Sequence, residues 1–444
     1  MQVTVFGIVW ILICIYILGN GSFEQMVGLL LVSTVFQCTA ILNIANHGIV
    51  AFLITCIFVE IKVLMLDATG IGKIEIDKHS AMFSWHLFGL LCWISLLFTL
   101  VFQGIEIWNK YEWTSIGVVY SYAKLHLSIG QVFKVIKISL YIHCVSVIYK
   151  YIKRNGCFMN IGKYMDACVF IVCIFALLQY IMRDKPFWGD LLGGLIYNNI
   201  EGNMAYWDND RRLFATFFEP SYCGMFLSAS FWYYVEKKRV VFSTVLFLLV
   251  VFFNKSTTGY VVLFVGFLIW IIVHGNAREY LPYLIMGFVM ILVIALSPIG
   301  ETIRFNIVDK ITVRASGQLR KSWDVECIRV LTETHFWGAG YGISRGNSGV
   351  ATILANLGIE GLLLWLIALW KLIYKPMPWQ DEGERVFLIV ALVGIFASCP
   401  DLSMTIFWMG VIITLYSKAI EDRYAEELKI YADNKRLCFN NGKQ

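Results

Sequence analysis

The sequence predicts an all-α polytopic membrane protein: a single transmembrane domain over residues 1–444, with about thirteen helices (12–14) and one long polar loop. Three observations predict it. Hydrophobic residues make up 59% of the chain and charged residues 15%, where a soluble domain carries about 25% charged. Mean hydropathy is +0.69. The apolar runs are continuous and close to the ~20 residues a crossing helix needs, without the alternation of a β-barrel strand.

In chain order, the expected spans are 3–19, 25–43, 46–66, 82–104, 131–149, 165–182, 213–233, 239–254, 258–274, 281–298, 348–373, 385–399 and 403–418. The first run has no basic flank and no small-residue cleavage site, so it reads as a retained helix rather than a signal peptide. Glu60 and Lys62 interrupt the third span, and lysines open the fifth. The abundance of Trp, Tyr and Phe suits interfacial belts. Twelve cysteines are scattered without a C-x-x-C pair, which argues against a metal cluster or a disulfide framework. No metal, other cofactor or nucleic-acid partner is expected.

Short-loop cations set the orientation. Lys150, Lys153, Arg154 and Lys163, then Lys237, Lys238 and Arg239, then Arg278, Lys371 and Lys375 fall on one side if spans alternate. Lys73, Lys78 and the tail 419–444 join them, and that side reads as cytoplasmic. The other side then holds 105–130, 183–212, 254–258 and the loop 299–346; thirteen spans put the N-terminus there too. That face is basic as well, which points to an anionic ligand such as a lipid-linked phosphate or pyrophosphate. Lys310, Lys321 and Arg329 read instead as partners of the loop's own carboxylates.

Four constellations could carry chemistry. Arg211 and Arg212 precede Glu219-Pro220-Ser221. On a continuous helix Glu219 would lie ~10 Å inside the span, on the Arg212 face, with Pro220 kinking the helix. An embedded acid is costly unless it pairs or works, so the readings are a catalytic carboxylate under an arginine clamp, or an Arg212–Glu219 ion pair. The hairpin Asn254-Lys-Ser-Thr-Thr-Gly259 offers Lys255, although a plain turn between helices is the preferred reading. Within the long loop, residues 321–334 show a helical apolar stripe (Trp323, Cys327, Ile328, Leu331), read as an amphipathic helix on the membrane surface. His335 follows it and could act as a base. A loop of this length closing on Trp337-Gly-Ala-Gly-Tyr-Gly342 reads as a functional lid. Asp208 and Asp210 could hold a divalent ion, on a spacing common by chance.

These residues resemble the O-antigen polymerase and ligase family of bacterial envelope polysaccharide assembly. Its loop-exit pattern, a polar pair, nine residues and Gly-x-x-Gly, is similar to Asn347-Ser348 followed by Gly358-Ile-Glu-Gly361. Arg212, Ala215 and Glu219-Pro220-Ser221 resemble its Arg-x-x-Gly and Asn/Glu-Pro-Asn/Ser elements. Arg320-Lys-Ser-Trp323 looks like its loop arginine, and Gly338-Ala-Gly-Tyr-Gly342 like its glycine turn. Asn347 stands where the ligases carry a proposed histidine base, which favours a polymerase.

The resemblance implies a GT-C-like glycosyltransferase in the bacterial inner membrane, with its site facing the periplasm. It would move a glycan from undecaprenyl pyrophosphate to the non-reducing end of another undecaprenyl-pyrophosphate-linked oligosaccharide. A chain-length regulator protein would be a further partner. Pyrophosphate ligands would come from Arg211, Arg212, Arg304, Arg314, Arg320, Arg345, Lys255 and Asn347; the base would be Glu219 or His335. The rival from another class is a lipid-linked oligosaccharide flippase, which would place charge mid-membrane in two related halves.

Overall fold

The computed structural model describes residues 2–44, 47–67, 81–114, 117–156, 159–182, 194–199, 212–274, 315–374, 382–397 and 400–441. The expected span 281–298, with Arg211, Arg304, Arg314, Lys310, Asp208 and Asp210, lies outside the described residues.

Helices dominate. In order they are α1 (Val5–Asn20), α2 (Phe23–Ser33), α3 (Ala51–Asp67), α4 (Ala81–Val101), α5 (Ile129–Asn155), α6 (Ile161–Met182), α7 (Pro220–Glu236), α8 (Val240–Leu248), α9 (Thr257–His274), α10 (Ala315–Glu333), α11 (Gly349–Ile373), α12 (Gly383–Ala397) and α13 (Thr405–Asn441). Four of them, α4, α5, α6 and α11, are long and apolar enough to cross a membrane, and α1, α2, α8 with its extension, and α9 supply shorter apolar helices. Such helices satisfy their backbone internally, as a hydrocarbon solvent demands. Cys14, Cys38, Cys56, Cys92, Cys144, Cys168, Cys223 and Cys327 are buried free thiols, and Cys173 is a half-buried one.

Helix α7 sits at the centre, packed by α8, α9 and α12. Nearly all its residues are buried, the pattern of a helix enclosed on every side. Gly224 and Gly259 let α7 and α9 approach closely: a Cβ on Gly224 would stand 2.5 Å from Asn254 Oδ1 and 3.0 Å from Gly259 Cα.

Three expectations need correction. The span placed at 25–43 is only the 11-residue α2. Its last turn is tied by the Ser33 and Thr34 hydroxyls to the Leu30 and Leu31 carbonyls, side-chain bonds that compete with helix continuation. The chain then enters a small antiparallel sheet, β1 (Gln2–Val3), β2 (Ala40–Ile44) and β3 (His47–Val50). Likewise the interval 105–130 is a hairpin of β4 (Glu106–Thr114) and β5 (Gly117–Lys124), so the chain is mainly rather than purely helical. The span placed at 213–233 begins at Pro220, which occupies the first turn of α7. There its missing N–H has no partner to lose and its ring starts the helix instead of kinking it.

Contacts sort the connections into two groups at opposite ends of the bundle. Lys153 pairs with Glu426, Lys237 with Glu384 at 3.2 Å and Arg239 with Asp166 at 2.6 Å. Tyr149 donates to Asp422 at 2.6 Å. Arg385, fully buried, is held by Glu382 and Glu421. These are the basic loops that the sequence assigned to one side. At the other end Gln37 and Cys38 donate to the Thr216 carbonyl, which sets the N-terminal sheet beside residues 213–220. The N-terminus and the charged stretch of α13 therefore lie at opposite ends of the described bundle.

Candidate functional site

The site assembles at the end that carries the hairpin, the 213–220 turn and the exit of the long loop. The 213–220 turn is irregular but fixed. Gln179 of α6 accepts from the Phe214 and Ala215 N–H groups at 3.1 and 2.9 Å, and Tyr197 donates to the Ala215 carbonyl at 2.8 Å. Buried Asn254 donates to the Leu213 and Pro220 carbonyls at 2.7 and 2.8 Å. The polar hairpin at Asn254 is thus a clasp for this turn, while its neighbour Lys255 is exposed in a left-handed conformation.

This geometry corrects the expected placement of Glu219. It is not two turns inside a helix on the Arg212 face. It is the residue before α7, in an extended conformation, exposed, with the Ser221 hydroxyl donating to it at 3.0 Å. Arg212 lies at the start of the turn, partly exposed, and its carbonyl accepts from Gln179.

The long loop is docked rather than hinged over its described part. Asp324 of α10 accepts from the Asn347 and Ser348 N–H groups at 2.7 and 3.1 Å, and Ser348 caps α11 through the Ala351 N–H. These are the otherwise orphaned donors of a helix start. Asn347 also donates to the Ala397 carbonyl at 3.3 Å. About two and a half turns into α11 the backbone breaks at Gly358 (φ 69°, ψ −167°). The break frees the Ala355 and Asn356 carbonyls, which accept from Ala339 and Gly340 of the glycine turn at 2.8 and 2.9 Å. The glycines are dictated by space. A Cβ on Gly358 would stand 2.2 Å from the Phe336 carbonyl oxygen, and one on Gly340 2.0 Å from the Thr99 hydroxyl of α4. Asn356 completes the lock, accepting from the Ile343 and Ser344 N–H groups and donating to the Ser344 and Thr352 carbonyls.

The lock delivers Arg345 to a charged cluster. Its Nη2 donates to the Tyr222 hydroxyl on the first turn of α7 at 3.2 Å. Its guanidinium also acts on Asp401, in the connection between α12 and α13. Asp401 accepts from the Ser403 N–H and hydroxyl, both at 2.8 Å. Lys137 of α5 donates to the Ser403 hydroxyl at 3.1 Å. One turn earlier, Lys134 donates to the Gly342 carbonyl at 2.7 Å. Asp401 keeps solvent access although protein surrounds it. That enclosure alone would push its carboxyl up. Lys137, the two Ser403 bonds and Arg345 outweigh it and hold the carboxyl below the ordinary range. Two cations thus face one carboxylate, with Lys134 exposed beside them, which leaves the cluster net positive.

Of the sequence-predicted residues, Arg345 and Asn347 belong to this cluster and its frame, and Glu219 lies three residues before Tyr222. His335 sits elsewhere, exposed beside the Phe102 ring at 6.4 Å. Arg320 is partly exposed in the first half of α10. Arg329 is spoken for, bonded to Glu326 and to Glu333, as the sequence suggested. Lys137, Asp401, Ser403 and Tyr222 were not singled out. The available signal was Lys134 and Lys137 inside an apolar run, three apart and so on one helix face. Among the described residues no group of three His, Cys, Asp or Glu side chains could hold a metal ion.

No protein-family model, no curated protein and no solved structure matches the chain.

Proposed function

We propose that the protein is an envelope-polysaccharide polymerase, a glycosyltransferase with a GT-C-like scaffold of about thirteen spans in the bacterial inner membrane. In this reading it joins undecaprenyl-pyrophosphate-linked oligosaccharides on the periplasmic face. The observation that carries the reading is the Arg345–Tyr222 contact. It joins the loop-exit segment with the Glu219-Pro220-Ser221 segment, two of the stretches on which the family resemblance rests, around a net-positive cluster.

In the proposed reaction the acceptor hydroxyl oxygen attacks the donor's anomeric carbon. The bond from that carbon to the phosphate oxygen breaks, a carboxylate takes the hydroxyl proton, and undecaprenyl pyrophosphate leaves. Negative charge grows on the departing oxygens. Planar, permanently charged Arg345, with Lys137 and Lys134 beside it, suits that charge. Asp401 positions Arg345 and Lys137. Glu219, exposed at the cluster's rim, is the base. A single displacement of this kind inverts the anomeric configuration.

Purified protein reconstituted with one lipid-linked repeat unit tests the reading. Longer glycans support it; movement of the unit across the bilayer without elongation supports the flippase and overturns it. Glu219→Gln should abolish elongation while the protein still folds, and unchanged chain length would remove Glu219 from the role of base.

A further inference from the structure

Helices α3 and α4 each pack on α5 rather than on one another, which leaves a cleft between them floored by α5. Four polar residues of α5, Ser139, His143, Ser146 and Lys150, recur at spacings of four, three and four. That spacing puts them in one stripe along the helix. Both walls reach it. Glu60 of α3 lies 2.7 Å from His143 Nδ1, and His86 Nε2 of α4 lies 2.8 Å from the Ser146 hydroxyl. The Trp93 indole, also of α4, donates to Ser139 at 2.9 Å. The stripe is open to the outside of the bundle: the His143 side chain is 57% exposed although it stands midway along a candidate span. Lys150 makes no hydrogen bond or ion pair among the described residues, and its charge acts on both histidines. A helical lysine leans toward the helix N-terminus, so this ammonium reaches back over the Ser146 turn. One carboxylate, Glu60, thus faces a lysine and two imidazoles.

We propose that this cleft binds an anionic phospholipid. Its polarity runs in the order of a lipid's own. Nearest the end of α5 that carries the Lys153–Glu426 pair, Lys150 and His86 offer donors to a phosphate. Deeper along the stripe, Glu60 fixes the His143 ring through Nδ1, and Nε2, which has no partner among the described residues, is left for an ester carbonyl. Because His86 meets Ser146 and Trp93 meets Ser139, α4 runs antiparallel to α5, away from the phosphate end. Leu90 and Trp93 of α4 and Ile136 of α5 therefore lie beyond the polar groups, and all three are exposed, a wall for acyl chains. An uncovered ionic group beside hydrocarbon is costly, and a lipid phosphate covers it with oxygens. Basic pockets between spans on the side where basic short loops gather suit anionic headgroups. A second copy of the chain fits less well, since a two-fold contact through this cleft would bring Lys150 and His86 against their own equivalents. The assignment stands apart from the polymerase reading.

Native mass spectrometry of the full-length protein in detergent, titrated with phosphatidylglycerol or with phosphatidylcholine, tests the site. Phosphatidylglycerol should bind in preference. Lys150→Gln, at a position with no partner to lose, should weaken it by about fivefold, and Lys150→Gln/His86→Gln by about tenfold. Lys163→Gln, exposed near the same end of the bundle, should bind as the wild type does. Equal binding of the two lipids overturns the proposal, as does unchanged affinity in Lys150→Gln. So does a loss in Lys163→Gln as large as in Lys150→Gln, which would mean diffuse attraction to a basic surface. Displacement of the lipid by an equal concentration of glycerol phosphate would reassign the cleft to a small phosphate ester. A dimer that Lys150→Gln dissociates would reassign it to a second copy.

Discussion

Arg345 and Tyr222, 123 positions apart in sequence, meet at 3.2 Å between guanidinium and phenol. Replacing Arg345 with Ala removes a cation from a cluster that already contains a carboxylate, and should reduce polymer formation in vitro about a hundredfold. Arg345→Lys keeps the charge but loses the planar fork, and should restore only part of the rate. Single-turnover glycan transfer on purified protein measures both.

Asp401 should shape the acid limb of stability. Its carboxyl is held below the ordinary range by Lys137, Ser403 and Arg345 against the effect of enclosure. The sign follows from linkage: a carboxyl with a lowered folded pKa adds stability that is present above its unfolded value, about 3.9. That contribution is lost as pH falls through the lowered folded value. Wild type and Asp401→Asn should therefore differ in thermal midpoint at pH 5–8 and converge toward pH 3. A gap that persists at low pH would show that this carboxylate is not the source.

Gly358 and Gly340 both lie at positive φ with no room for a side chain. Gly358→Ala should cost about 2–4 kcal/mol through backbone strain and contact with the Phe336 carbonyl. Gly89 of α4, where a Cβ would meet only the Ile142 Cδ1 at 3.2 Å, should tolerate Ala better because that methyl can move. Detergent thermal shift on the two variants gives the comparison.

At the far end, Arg385 is fully buried between Glu382 and Glu421. Arg385→Ala should destabilise by about 3–5 kcal/mol, since it strands carboxylates that are themselves largely buried. A triple change of Arg385, Glu382 and Glu421 to apolar residues should recover much of that loss, which chemical denaturation would read.

Asp324→Ala should detach the start of α11 from α10 at about 1 kcal/mol for the lost cap. Its effect on glycan transfer should exceed its effect on melting, because Arg345 lies two residues before the capped N–H of Asn347.

The helices were legible where an apolar run was long and uninterrupted, as in α4, α6 and α11. They were misread where local chemistry ends a helix without ending the apolar run. The Ser33 and Thr34 hydroxyls stop α2 inside such a run, and Pro220 starts α7 seven residues after the run begins. Within the site, Asn347-Ser348 and Gly358 could be found because each position carries a local backbone requirement: a helix cap, and a positive φ. Lys137 and Asp401 could not, because their meaning arises from helices that meet only in the fold.

The break at Gly358 has a consequence for how a ligand gets in. The Ala339, Gly340 and Ile359 N–H groups are all spent on holding the glycine turn and α11 together. Swinging that turn outward would strand several main-chain groups at once. This stretch of the long loop therefore behaves as a rivet rather than a door, and in the proposed reaction the substrates would reach Arg345 sideways between helices or over the Glu219 rim.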